Sequence, residues 1–199
     1  MSLRIVTPPS IEPVTKTEAQ AWARLDADVT SDPLLDMLIA AARQVAQNRT
    51  GRAFITQTWE LVLDKFPSAE IEIGMLPIQS ISNVKYYDET GAQQTLAGTA
   101  YALDGDTLPG WLLPAYGTEW PATYNVANAV IVRFVAGYGP AGSDVPAEIR
   151  SWICAQVAAA YNNPEGTLPG ARDALLTGVP AVLPFIDGLL DAYRIRLGF

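Results

Sequence analysis

AVIVRFVAGYGPAGSDVP, residues 129–146, changes character twice. Val130–Val135 (VIVRFV) is almost all β-branched or aromatic, the composition of a strand covered on both faces. The glycines and proline of 137–142 (GYGPAG) then end the strand. Ser143 and Asp144 are capping candidates for a helix that tolerates Pro146 near its first turn. A sheet therefore leads into this stretch and a helix leads out of it.

Upstream, the hydrophobic period is two. Trp59, Leu61 and Leu63 alternate with Thr58, Glu60, Val62 and Asp64 as a half-buried strand does. Ile71 and Ile73 predict a second strand, and Val84 with Tyr86 a third. The turn 88–91 (DETG) returns residues 93–96 as a hairpin partner. Residues 101–103 and 110–113 predict weaker strands, and 113–129 a long ordered loop. Short strands punctuated by turns imply an antiparallel sheet or small barrel.

Further upstream the period is helical. Residues 1–15, with three prolines, read as an extended arm. Thr17 and Gln20 have capping-box spacing for a helix to about Leu25, and a polar connection covers 26–32. A second helix is expected from Pro33 to about Arg49, closed by Thr50-Gly51. It carries two stripes, Leu34/Leu38/Ala41/Val45 and Leu35/Ile39/Ala42/Ala46, which predicts cover on more than one side. Downstream, Ile149, Trp152, Ile153, Val157 and Ala160 share a helix face that ends at 162–164 (NNP). Residues 164–182 are rich in glycine and proline, and 183–196 predict a last helix with Phe185, Leu189 and Tyr193 at helical spacing.

Composition narrows the chemistry. With 49% hydrophobic and 17% charged residues over 199 positions, the chain can bury a sizeable core. No apolar run approaches the roughly 20 residues of a membrane-spanning helix, and the N-terminus lacks a signal-peptide core, so a cytosolic start is expected. Histidine is absent and cysteine occurs once, which excludes Cys/His zinc sites and Cys–His or Ser–His catalysis. Cys154 lies in an apolar helical pattern and reads as a small buried hydrophobe. The net charge of −8 is uneven: residues 56–137 hold three basic side chains against nine acidic ones. Such a segment does not grip nucleic-acid phosphates, which requires clustered lysine and arginine.

Four features invite a functional reading. The glycine-rich 137–142 loop stands where phosphate cradles occur, but Ser143-Asp144 follows it instead of the Lys-Ser/Thr a phosphate loop requires, so a plain turn is favoured. Asp104, Asp106 and Glu119 supply fewer oxygen ligands than calcium loops do, which favours a solvated turn over a metal site. Trp111, Tyr116, Trp120 and Tyr124 suit either sugar binding or the packing of a long loop or a subunit contact, the latter favoured. Arg133 should pair with a carboxylate or reach the rim of its sheet. No catalytic residue, cofactor site or metal site is assigned.

The expected fold class is α+β: N- and C-terminal helices packed together around an inserted antiparallel sheet or small barrel. The segments expected are 1–55, 56–137 and 138–199. Their order, with IAAAR at 39–43, NRTGR at 48–52, ITQTW at 55–59, LPIQSI at 76–81, PAYGTEWP at 114–121, VRFVAGY at 132–138 and VPAEIR at 145–150, resembles the head–tail connector (adaptor or head-completion) proteins of tailed bacteriophages and prophages. Within these it is similar to the subgroup with an inserted β-rich segment.

That resemblance implies a structural subunit and no enzyme. Copies would form a ring beneath the portal protein, continue the DNA channel without specific DNA binding, and receive the next connector or tail-completion protein. The location implied is the bacterial host cytoplasm during assembly and then the head–tail junction of the virion, with no membrane partner. It also implies a C-terminal docking segment, 183–199, that orders on assembly, with Phe185, Leu189, Tyr193, Arg194, Arg196 and Phe199 as candidate contacts beside the aromatic loop. The alternative is a carbohydrate- or peptide-binding module using residues 111–124. A carboxylate-dependent hydrolase is the weakest reading, because nothing in the sequence brings two acids together.

Overall fold

A computed structural model describes residues 1–25, 33–105, 107–162, 186 and 188–195. The stretches 26–32 and 164–182, Asp106, Phe185, Arg196 and Phe199 therefore lie outside the described residues. In chain order the elements are β1 (Ser2–Thr7), α1 (Lys16–Ala23), α2 (Pro33–Thr50), β2 (Gln57–Leu63), β3 (Ile71–Ile73), β4 (Ile78–Tyr87), β5 (Gln93–Leu96), β6 (Tyr101–Asp104), β7 (Gly110–Pro114), β8 (Val130–Ala136) and α3 (Ala147–Asn162). Contacts divide the described chain into two compact units. One comprises Met1–Ser10, Gly51–Pro140 and Ile195, and the other Ile11–Thr50 with Ala141–Arg194.

The first unit is all β. One sheet has the order β1-β2-β8-β4-β5 and the other β3-β7-β6, and every pairing in them is antiparallel. The VIVRFV stretch is thus the central strand of the larger sheet. Val130, Val132, Phe134 and Ala136 face a core completed by Leu61 and Val84 from neighbouring strands and by Ile71, Ile73 and Leu112 from the smaller sheet.

The expectation of two covered faces needs correction. Ile131, Arg133 and Val135 are only half-buried, because that face carries a charged ladder instead of a second apolar layer. The arm is corrected too. Residues 2–7 form an edge strand in register with β2, so the start of the chain belongs with the sheets and not with the helices. The prolines at 8 and 9 follow that strand and do not interrupt it.

In the second unit α3 packs against both α1 and α2. Ala19, Leu35, Ile39, Ala46, Ile149, Trp152, Ile153 and Val157 are buried almost completely. Polar contacts tie the helices down: Arg43 Nε donates to Glu12 Oε2 at 2.7 Å, Lys16 pairs with Asp36 at 2.7 Å, and Arg49 lies 5.4 Å from the centre of the Trp152 ring. No described helix is long and apolar enough to cross a membrane.

The capping box of α1 sits two residues earlier than the sequence spacing of Thr17 and Gln20 suggests. Glu18 N donates to Thr15 Oγ1 at 3.2 Å, and Thr15 N donates to Glu18 Oε2 at 2.8 Å. Gln20 is 6% exposed, so its side chain lies in the interior instead of reaching back over the helix start. The helix ends at Ala23, with Arg24 in the left-handed region at φ 54°. Thr15→Ala should therefore cost about 1 kcal/mol in urea unfolding, while Thr17→Ala at an exposed position should stay within about 0.5 kcal/mol of wild type.

The last predicted helix is corrected in its second half: Ile186 and Gly188 are helical, and the chain leaves the helix from Leu189. Asp191–Tyr193 forms a single 3-10 turn, and Arg194 leaves it with extended angles, φ −66° and ψ 129°. Tyr193 Oη donates to Glu148 Oε2 at 2.9 Å, Leu190 is fully buried, and the Ile195 side chain lies over Gly51. Those contacts accompany the end of the helical conformation after Gly188. The described part of the segment is ordered against its own chain.

Candidate functional site

The glycine-rich loop at 137–142 is a crossing point of backbones. Gly137 has φ +139°, and a Cβ there would come within 2.7 Å of Ile55 C and O and of Thr56 N. Gly137 N donates to Pro77 O at 2.9 Å, Tyr138 N donates to Phe54 O at 2.9 Å, and Thr56 N donates to Gly139 O at 2.9 Å. Protein groups occupy the partners a phosphate would require. Asp144 Oδ2 accepts from Ala141 N at 2.9 Å, which closes the turn into α3.

Arg133 finds its carboxylate across the sheet. Glu60 stands in register between Arg4 on β1 and Arg133 on β8. Glu60 Oε2 accepts from Arg4 Nη2 at 2.5 Å, and Oε1 accepts from Arg133 Nη2 at 2.6 Å and Nε at 2.9 Å. The Glu60 side chain is 5% exposed, against 61% for Arg4 and 40% for Arg133. Burial pushes the Glu60 carboxyl up, but the bonds from Arg133 and then Arg4 outweigh it and hold it below its ordinary value. This trio stitches three strands and has no geometry for catalysis.

The two described acidic candidates, Asp104 and Glu119, have separate surroundings. Asp104 Oδ1 accepts from Thr107 N at 3.3 Å within its own turn, and Glu119 lines a hollow of about 340 Å³ beside Trp120. Among the described residues no group of three or more acidic or cysteine side chains is placed to hold a metal ion. The Asp88 carboxyl is strongly shifted. Bonds from the Thr90 hydroxyl, Gln94 and the amides of Ala92 and Thr90 hold it down at about 2, and they build the hairpin turn. Cys154 is buried, and desolvation pushes its thiol up to about 11, so it stays protonated and unreactive.

The four aromatic candidates have separate roles. Trp120 stacks on Phe66 with centroids 4.9 Å apart, and its Nε1 donates to Ala69 O at 2.6 Å, so it pins the long loop to its own unit. Trp111 is half-buried, on the opposite side of its strand from the core residue Leu112. Tyr124 is 48% exposed and lines a second hollow with Asp64 and Lys65. Tyr116 is fully exposed at the tip of a turn that Gly117 closes at φ +74°, with Thr118 N and Oγ1 both donating to Ala115 O. Trp120 and Tyr124 line different hollows, so the loop does not build one stacking platform for a sugar. Leu189 is half-buried and Arg194 pairs with Asp191 at 3.2 Å. Local spacing missed Glu60 and Arg4, because their contact is made only when strands far apart in sequence come into register.

The architecture defines a class: an α+β chain in which helices from either side of a β-rich segment pack together. Solved particle structures contain chains of this fold. A chain in the neck of the empty gene transfer agent particle, computed with C6 symmetry, matches at a TM-score of 0.81 with 20% identity, over 100% of this chain and 98% of that one. A chain in the virion of the native gene transfer agent particle matches with the same score, identity and coverage. One in the native neck computed with C12 symmetry matches at 0.70 with 22% identity and the same coverage. No protein-family profile and no curated protein matches this sequence.

Proposed function

We propose that this chain is a structural head–tail connector subunit whose copies form a ring around a DNA channel. The observation that carries the reading is the end-to-end likeness to the neck chain, both units included, at a TM-score of 0.81. Rotational symmetry in the compared necks supports a ring of equivalent copies. On this reading the work is done by shape and contact, without a catalytic group, cofactor or metal. The location is the virion neck, reached after assembly in the host cytoplasm.

The finer assignments rest on placement and charge. The portal protein would hold one side of the ring, and the next connector or tail-completion protein the other. Tyr116, held rigidly at a turn tip, is the best-presented side chain for such a partner, with Tyr124 and Trp111 beside it in the chain. Leu189, Tyr193 and Arg194 form the described part of the C-terminal docking candidate, whose remaining members Phe185, Arg196 and Phe199 lie outside the described residues. The acidic 56–137 segment suits a surface that DNA passes without adhering.

Mass photometry across a concentration series, with and without the cognate portal protein, tests the reading. The expected result is a discrete high-order species that portal stabilises. Tyr116→Ala should weaken portal or tail-protein binding by about tenfold while leaving the fold unchanged.

A further inference from the structure

Helix α2 carries two apolar stripes, one buried and the other largely exposed among the described residues. Leu35, Ile39, Ala42 and Ala46 are buried. Met37, Ala41 and Val45, with Leu34 at their start, lie about 100° or more further round the helix. They are exposed, Met37 at 60% and Val45 at 44%. From residue 34 to residue 45 this face runs about 16 Å. Of the sequence stripe Leu34/Leu38/Ala41/Val45, Leu34, Ala41 and Val45 are exposed and Leu38 is half-buried, and Met37 extends the exposed face.

The same helical unit holds a surface of matching chemistry. Between α1 and α3 lies a hollow of about 480 Å³, walled by Val14, Ala21, Trp22, Ala147 and Cys154. Trp22, which lines it, is 51% exposed. The charges in the hollow, Glu18 and Arg150, bond to each other and are neutral as a pair. The lining therefore offers mostly apolar surface, with Ser151 among it and no uncompensated charge, which suits an aliphatic helix face better than a charged small molecule.

We infer that the Met37/Ala41/Val45 stripe of one copy seats in the α1–α3 hollow of the next copy. This inference rests on the ring reading above. The partner is a second copy because the similar neck chains stand in particles computed with C6 and C12 symmetry, which repeats one contact between neighbouring copies. A contact between two different surfaces is heterologous, and repetition of such a contact closes a ring when the rotation allows it. A stripe that met itself would instead stop at a dimer.

Two variants separate the donor from the receiver. Ala41→Glu/Val45→Lys charges the stripe while adding a favourable i,i+4 pair, so helix α2 is retained. Ala21→Arg fills the hollow from an exposed helix position. Each variant alone should lose the ring in mass photometry, with apparent association weakened about 30-fold or more. Mixed in equal amounts they should form pairs, since the intact hollow of one meets the intact stripe of the other. Met37→Ala, a milder change, should weaken assembly about tenfold and keeps the test decisive if a charged variant misfolds. Wild-type rings from both charged variants would overturn the inference and leave the ring reading intact. A mixture that never pairs, or a stripe variant that loses only portal binding, would also overturn it. A wild-type chain that forms no ring alone or with portal would overturn both.

Discussion

Gly137→Ala is expected to destabilise the β unit by about 3–5 kcal/mol, enough to remove most of the stability of an ordinary domain. Two costs combine. An L-residue at φ +139° is strained, and the new methyl would overlap the Ile55–Thr56 backbone at 2.7 Å, where no side-chain rotation relieves it. Those neighbours are fixed in turn, because Tyr138 N and Thr56 N bond across the same crossing. Gly74→Ala is the control: a Cβ there meets nothing within 4 Å, so its effect should stay within about 0.5 kcal/mol. Urea unfolding monitored by tryptophan fluorescence measures both. Equal stability of the two variants would refute the close-approach account.

Glu60→Gln should cost about 2 kcal/mol, less than the 3–5 kcal/mol of a fully buried ion pair because both arginines are partly solvated. The amide keeps the shape but removes the charge that two guanidiniums share. The pH dependence follows from the direction of the shift. The folded carboxyl titrates below its unfolded value near 4.5, so the unfolded chain binds more protons between the two values. The stability this trio contributes is complete above about pH 5 and is lost as pH falls through the folded value. Glu60→Gln should therefore flatten the acid limb of stability against pH. An unchanged slope would mean that the trio contributes nothing in solution.

Most of the larger sheet was legible because its signals are local. The alternation at 58–64, the DETG turn and the VIVRFV run each specify their strands without reference to the rest of the chain. The hairpin 84–87 with 93–96 came out in the register the turn implies. What escaped was set at a distance. Ser2–Thr7 becomes a strand only because β2 offers an edge, and α1 uses Thr15 in place of Thr17 because Gln20 is drawn inward. The helical spacing holds at Ile186 and Gly188 and gives way from Leu189, where Leu190 is buried and Tyr193 bonds to Glu148.

The candidate surfaces were legible as residue types and not as a constellation. Four aromatics within fourteen positions suggested one patch, yet Trp120 faces Phe66 and only Tyr116 is wholly presented to solvent. Arg133 announced a need for a carboxylate, but strand pairing alone decided that Glu60 would meet it. Leu34, Ala41 and Val45 of the second α2 stripe were visible in the sequence, whereas Met37 was not placed on it and Leu38 proves half-buried. The exposure of the first three turns a packing expectation into a prediction about a neighbouring copy.

Electron microscopy of the chain mixed with its portal protein decides whether it is a ring subunit. The expected class averages show equivalent copies arranged around an axis, an open central channel, and portal attached to one side. Monomeric particles at every concentration, with no portal bound, would contradict that role.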